Sequence, residues 1–323
     1  QEALREFAEA MPILTAPTGR ELQPTSGRFA QTRVVIESFI DLLTRVWTPI
    51  QKASATEQAF GYAELLRGTV VQSAIAASTA RMKIDDPELA ALARREQDLR
   101  KLIAARLDAL NSLLSLPLSE RDAKGEAALR DEIPRLQAEQ AGVLEKLSRR
   151  FPNYANLIAP RPPPLSEVRA ALKPDEAFVS IYSGNDHTYV WAFGRDGEVS
   201  FTSAPVGAAA LRAKVNKLRA ALEPNVGTID DIPAFDTALA HELYDLLLKP
   251  VEAGWKSGKT LVVAANGALG VLPLSVLVTK DFKSAPSTTP FEEYRRVPWL
   301  VRSHAVVAVP SAATFLLLRT LPA

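Results

Sequence analysis

The feature that most constrains this chain is a change of composition near residue 160. Ahead of it Ala, Leu, Glu, Arg and Gln dominate and β-branched runs are few, a mixture of strong helix formers. Behind it short Val, Ile, Phe and Tyr runs alternate with Gly, Asn and Asp, the pattern of strands joined by turns. The two regimes meet at Ala159-Pro-Arg-Pro-Pro-Pro164. Proline removes a backbone donor and fixes φ, so this stretch reads as an extended linker. A chain of 323 residues has room for roughly two domains of ordinary size. The expected division is a helical domain over 1–160 and a mixed α/β domain over 161–323.

Within the first part, residues 1–11 read as a short helix and 28–47 as an amphipathic one. Phe29, Val35, Ile36, Phe39, Leu42, Leu43 and Val46 stand near helical spacing along it. Pro49 and the Ser54–Thr56 stretch are expected to end that helix. A further helix over about 56–82 carries Ala59, Phe60, Ala63, Leu66, Val70, Ala74 and Ala77. Asp85 or Asp86 is placed to cap the next helix, with Pro87 suited to its first turn. Over 88–150 two stripes of Leu, Ile and Val flank a connection at 116–125, which predicts two antiparallel helices packed on each other. A detached coiled-coil dimerisation arm is the alternative. Pro134 predicts a kink or a helix that restarts there.

The second part opens with a short helix, 166–172, with Ser166 as its cap. Strands are expected at 177–183, 187–194 and 198–204, joined at Gly184-Asn185-Asp186 and Arg195-Asp196-Gly197 as a β-meander. Helices follow at 207–222 and 233–249. Thr260–Ala265 is a continuous apolar run of the kind a parallel sheet buries on both faces, and Ala305–Val309 reads as a second buried strand. Ser311 is placed to cap a helix over 312–321. The polar stretch 279–296, with Arg295-Arg296, reads as a mobile surface loop and a conceivable processing site. Two core strands are too few for a stable sheet, so the fold is expected to be cut in mid-sheet.

Several chemistries are excluded by residue type. The chain has 0 cysteines, so it holds no disulfide, thiolate zinc site, iron–sulfur cluster or cysteine nucleophile. That composition is compatible with the cytoplasm and with export. Its 3 histidines, His187, His241 and His304, leave little room for a multi-histidine metal site. A net charge of +1 offers no basic excess for nucleic acid, and no apolar run of about 20 residues is long enough to span a membrane.

Asn266-Gly-Ala-Leu-Gly270 follows a strand but lacks the third glycine and the lysine of the nucleotide fingerprints. His187 beside a turn, His241 on a helix beside Glu242 and His304 before a strand all read as ordinary polar positions. Ser303 and His304 make a poor dyad if both lie on a strand, where neighbours point to opposite faces. The pairs Asp230-Asp231 and Glu292-Glu293 read as solvated, and Trp47, Trp191, Trp255 and Trp299 as core or contact residues. No catalytic, cofactor-binding or metal-ligating residue is assigned.

Six stretches taken in order carry a family resemblance. They are Ala59-Phe-Gly-Tyr-Ala-Glu-Leu-Leu-Arg-Gly68, Phe151-Pro-Asn-Tyr154, Leu172-Lys-Pro-Asp-Glu-Ala-Phe178, Leu243-Tyr-Asp-Leu-Leu-Leu-Lys-Pro250, Ala265-Asn-Gly-Ala-Leu-Gly-Val-Leu-Pro-Leu274 and Val306-Val-Ala-Val-Pro-Ser311. Their order and spacing resemble the CHAT family, a caspase-like domain found behind tetratricopeptide-type helical repeats. The resemblance implies an α + α/β fold, with a helical-repeat and helical-hairpin region followed by the first part of a caspase-like α/β domain. It also implies a cysteine peptidase acting on protein substrates, controlled through its helices. The family's histidine follows the third core strand in a His-Gly step and its cysteine follows the fourth. Neither maps onto a position here, and His304 stands too early in the order. The implied partners are a protein partner or substrate and the remaining half of the CHAT domain. A non-catalytic interaction scaffold is the rival expectation. A small-molecule α/β enzyme built on the loop after Ala265 is a third.

Overall fold

A computed structural model describes residues 6–7, 11, 29–45, 49–79, 86–114, 117, 119, 121–151, 162–224, 226–228, 231–282 and 291–320. The chain is mixed helix and sheet and divides into two compact units. One holds Arg33–Gly68 and Pro162–Ala323 together with the first five residues; the other holds Glu6–Thr32 and Thr69–Arg161. Residues 33–68, helical in sequence character, therefore share a unit with the sheet.

Helix α1 is Phe29–Arg45 and α2 is Pro49–Thr79. Pro49, expected to end a helix, starts one instead. The first turn of a helix has no intrahelical partner for its N–H groups, so a proline there loses nothing and its fixed φ suits the start. Helices α3 (Pro87–Leu114) and α4 (Ala123–Arg150) form the expected antiparallel pair. Asp86 caps α3, its Oδ1 accepting from the amides of Glu88 and Leu89 at 2.8 and 3.0 Å. Leu99, Val143 and Leu147 are buried between the helices. Cross-links run in antiparallel order: Arg150 with Glu88, Arg95 with Glu139, and Arg106 with Glu132. Gln140 donates to the buried Glu96 at 3.1 Å, a polar pair in an apolar seam that specifies register. Helix α4 runs through Pro134 without a break.

In the sheet-bearing unit, α5 is Leu165–Ala170, with Pro164 at its N-cap and no side-chain cap. Ser166 lies inside the first turn rather than capping it. The meander forms as β1 (Glu176–Ser183), β2 (Thr188–Gly194) and β3 (Ser200–Ala204), antiparallel throughout. Helices α6 (Ala208–Leu222), α7 (Thr237–Leu247) and the single turn α8 (Glu252–Trp255) follow. Then come β4 (Thr260–Ala265), β5 (Ala305–Val309) and α9 (Ala312–Thr320).

The five strands among the described residues make one sheet in the order β3-β2-β1-β4-β5. Strand β4 pairs parallel with β1, residue 181 opposite 265, and β5 pairs parallel with β4. The expected two-strand half-sheet is thus corrected: β4 joins the meander through β1. Nothing local in either strand encodes that pairing, because it links segments some 80 residues apart. All eight residues of β1 are buried, as a strand covered on both faces requires. On one face Ala177, Val179 and Ile181 pack in a core with Leu211, Val215 and Leu218 of α6, Leu243 and Leu247 of α7, and Trp255. On the other, Phe178 stacks on Phe193, and Phe60 of α2 meets Phe193 and Trp191 edge-on.

Asp236 caps α7: its Oδ1 accepts from the Leu239 amide at 2.9 Å, and its Oδ2 accepts from Lys217 at 2.7 Å. The Lys217 bond, then the helix amide, hold its carboxyl below the usual value. A carboxyl depressed in the folded state contributes stability above its unfolded pKa of about 3.9 and loses it as pH falls through the folded value. Asp236→Ala is therefore expected to cost about 1 kcal/mol at pH 7. The gap from the parent should shrink below about pH 4, where the carboxyl of the unfolded chain begins to protonate while the folded one does so only at lower pH. Urea midpoints at pH 7 and pH 3 check this; an equal gap at both would contradict it.

Candidate functional site

Strand β5 stands at one edge of the sheet, where, among the described residues, only β4 pairs with it. Its sequence, Ala-Val-Val-Ala-Val, carries no charge and no proline. The sequence reading makes it a buried strand, yet Ala305, Val307 and Ala308 are exposed, Val307 at 47%. An apolar run marks a strand that is suited to burial; whether it has neighbours on both sides is set by sheet order. Most edges are protected by charge, proline or a bulge, and β5 has none of these. The chain that follows exposes Leu318 of α9 at 53%.

This edge is positioned by side chains from the other end of the sequence. After Pro310, Ser311 caps α9, its Oγ accepting from the Thr314 amide at 3.1 Å, as expected. Beside that cap lies Glu64 of α2, 2% exposed, whose Oε2 accepts from the Ala312 amide at 2.8 Å. A carboxylate at a helix N-terminus is favoured by the unpaired amides there. The other oxygen of Glu64 accepts from Ser180 of β1 at 3.1 Å and from Arg67. Arg67 is also 2% exposed; it donates to Ser180 Oγ at 3.0 Å and to the Ile181 carbonyl at 2.7 Å. Burial lowers its pKa to about 10, so the guanidinium stays charged at neutral pH. At the far end of α9, Arg319 pairs with Glu176, and Phe315 packs on Phe178.

A second polar group closes the carboxyl end of β1. The Tyr182 hydroxyl donates to Glu37 at 2.9 Å, and the Asn185 amide donates to the same carboxylate at 3.0 Å. Burial, then the Glu37 charge, push the Tyr182 hydroxyl well above its ordinary pKa, which keeps it a donor. Asn266, at the end of β4, takes the Ser183 amide at 2.7 Å and returns a bond to the Ser183 carbonyl at 3.1 Å. The Asn266–Gly270 stretch thus ties two parallel strand ends together.

The residues singled out in the sequence lie apart. His187 precedes β2, 3.7 Å from Asp41. His241 holds the Val278 carbonyl at 2.9 Å and stacks on Tyr244. Ser303 and His304 do meet, Oγ to Nδ1 at 2.8 Å, against expectation. Both precede β5, so strand alternation does not separate them. Ser303 is exposed and donates to the Leu300 carbonyl at 3.2 Å, while the half-buried His304 ring lies edge-on to Trp255 with centroids 5.0 Å apart. Trp191 and Trp255 are core residues and Trp299 packs against the core; Trp47 lies outside the described residues. Asp230 and residues 283–290 of the expected 279–296 loop also lie outside them, while the Tyr294 hydroxyl accepts from the Phe235 amide at 2.7 Å. Among the described residues, no group of three His, Asp or Glu could hold a metal ion. No helix among them is long and apolar enough to cross a membrane.

The residues missed from sequence are Glu64, Arg67 and Ser180. Their only signal was a Glu-x-x-Arg pair on an otherwise apolar helix face, flanked by Phe60, Ala63 and Leu66. No family model, curated protein or solved structure matches the chain.

Proposed function

We propose that this chain is the regulatory and scaffold portion of a CHAT-type, caspase-like cysteine peptidase acting on protein substrates. Its histidine–cysteine dyad lies outside the chain. The observation that carries the reading is the uncharged edge of β5, in parallel register with β4 and, among the described residues, without a strand on its outer side. A buried parallel layer with an unprotected apolar rim is suited to continuation by more strands. Four of the six stretches that resemble the family stand at the entry to β1, ahead of β4, in the turn after it, and along β5 to the α9 cap. The chain contains no thiol, so by itself it cannot supply the thiolate this chemistry uses.

The same lack of cysteine favours the second reading, a non-catalytic interaction scaffold whose sheet edge binds a protein partner. One observation decides between them. The peptidase reading expects the coding sequence downstream of residue 323 to supply a His-Gly step after a third core strand and a cysteine after a fourth. A reading frame that continues without them, or stops, overturns the peptidase reading and leaves the scaffold.

A further inference from the structure

The geometry points to helix α2 as the element that holds β5 ready for pairing, through Glu64. This deepens the reading of β5 as a pairing edge, and its importance rests on that reading. Helix α9 follows β5 after only Pro310 and Ser311, so whatever seats the start of α9 also seats the carboxyl end of β5. Side chains of two elements are bonded to or packed on α9 over β1. Phe315 packs on Phe178 with ring centres 5.5 Å apart, and Arg319 pairs with Glu176; both belong to the sheet. The Glu64 carboxylate on the Ala312 amide comes from α2.

Glu64 is itself held, because its second oxygen is shared by Ser180 and Arg67, and Arg67 reaches on to the Ile181 carbonyl. One buried carboxylate therefore registers α2, the central strand β1 and the start of α9 against one another. Buried polar groups of this kind cost free energy if any partner leaves. Displacing α2 from the sheet would strip the α9 amide of its acceptor and take from Arg67 its bonds to Ser180 and the Ile181 carbonyl. The edge is thus presented in ordered form only while residues 33–68 are docked. A partner that pulls on α2 would act on the edge without touching it.

Amide hydrogen exchange on the full chain tests this. Glu64→Gln is expected to speed exchange over residues 305–320 at least tenfold, while α6 (208–222) and α7 (237–247) keep the parent rates. If Glu64→Gln does not fold, Glu64→Gln combined with Arg67→Met removes both buried charges together and carries the same expectation. Unchanged exchange over 305–320 would overturn the proposal. So would a uniform rise that includes α6 and α7, since that reports general loosening rather than control of the edge. These outcomes do not depend on the downstream coding sequence, so a failed clamp and a failed peptidase reading are told apart.

Discussion

Arg67→Ala is expected to destabilise the sheet-bearing unit by about 3–5 kcal/mol, the range for removing one partner of a buried ion pair. The guanidinium is 2% exposed and donates to Glu64, Ser180 and the Ile181 carbonyl. Truncation leaves the Glu64 carboxylate, equally buried, with Ser180 and the Ala312 amide as its remaining donors. A carboxylate out of water without its counter-ion is the costly state, more so than the loss of the pair as a pair. That distinction supplies a control. Arg67→Met with Glu64→Gln removes both charges at similar volume and should cost far less than Arg67→Ala. Urea midpoints read from tryptophan fluorescence measure it. Trp191, Trp255 and Trp299 all lie in this unit, so the signal reports on it. A double variant as unstable as the single one would show that packing, rather than stranded charge, sets the cost.

The second large effect is at Trp191. Its ring is fully buried, in contact range of Phe60 and Phe201 with centroids 6.0 and 5.2 Å away. Its indole Nε1 donates to the Thr56 carbonyl of α2 at 3.0 Å. Trp191→Ala is expected to cost about 3–5 kcal/mol through lost apolar burial and the cavity left behind. Trp191→Phe keeps much of the ring and removes the donor. It should cost about 1–2 kcal/mol, from the lost hydrogen bond and a smaller void. Because the substitution removes a fluorophore, thermal melts followed by far-ultraviolet circular dichroism are the suitable measure. Equal losses for the two variants would mean that the indole bond, and not the ring, joins α2 to the sheet.

Both effects fall on contacts between α2 and the sheet, and neither was legible beforehand. Trp191 was readable as a core residue, but its partner Thr56 stands 135 positions away. The Ala312 amide that Glu64 caps is 248 positions from it. In the sequence Glu64 and Arg67 are an i, i+3 pair on a helix, and on a solvated face such a pair contributes only a few tenths of a kcal/mol. The same two side chains matter far more once buried, and burial is decided by what lies across the helix. Pro49 shows a smaller version of this ambiguity, since proline is compatible with either the stop or the first turn of a helix.

Local chemistry determined a good deal by itself. The Leu stripes of 88–150 encode a helical pair because 3.6-residue spacing places them on one face. Asp86 and Ser311 mark helix starts because their oxygens reach amides two or three residues on. The meander follows from alternating apolar runs and turn residues that set register within a few positions. The tertiary structure alone decided that β1 pairs with β4, that β5 is an edge rather than an interior strand, and that a buried carboxylate from α2 seats α9. Spacing along a chain records the period of the backbone. It carries no record of which distant segment supplies the neighbouring strand or the opposing charge, because those are fixed only when separate surfaces are buried together.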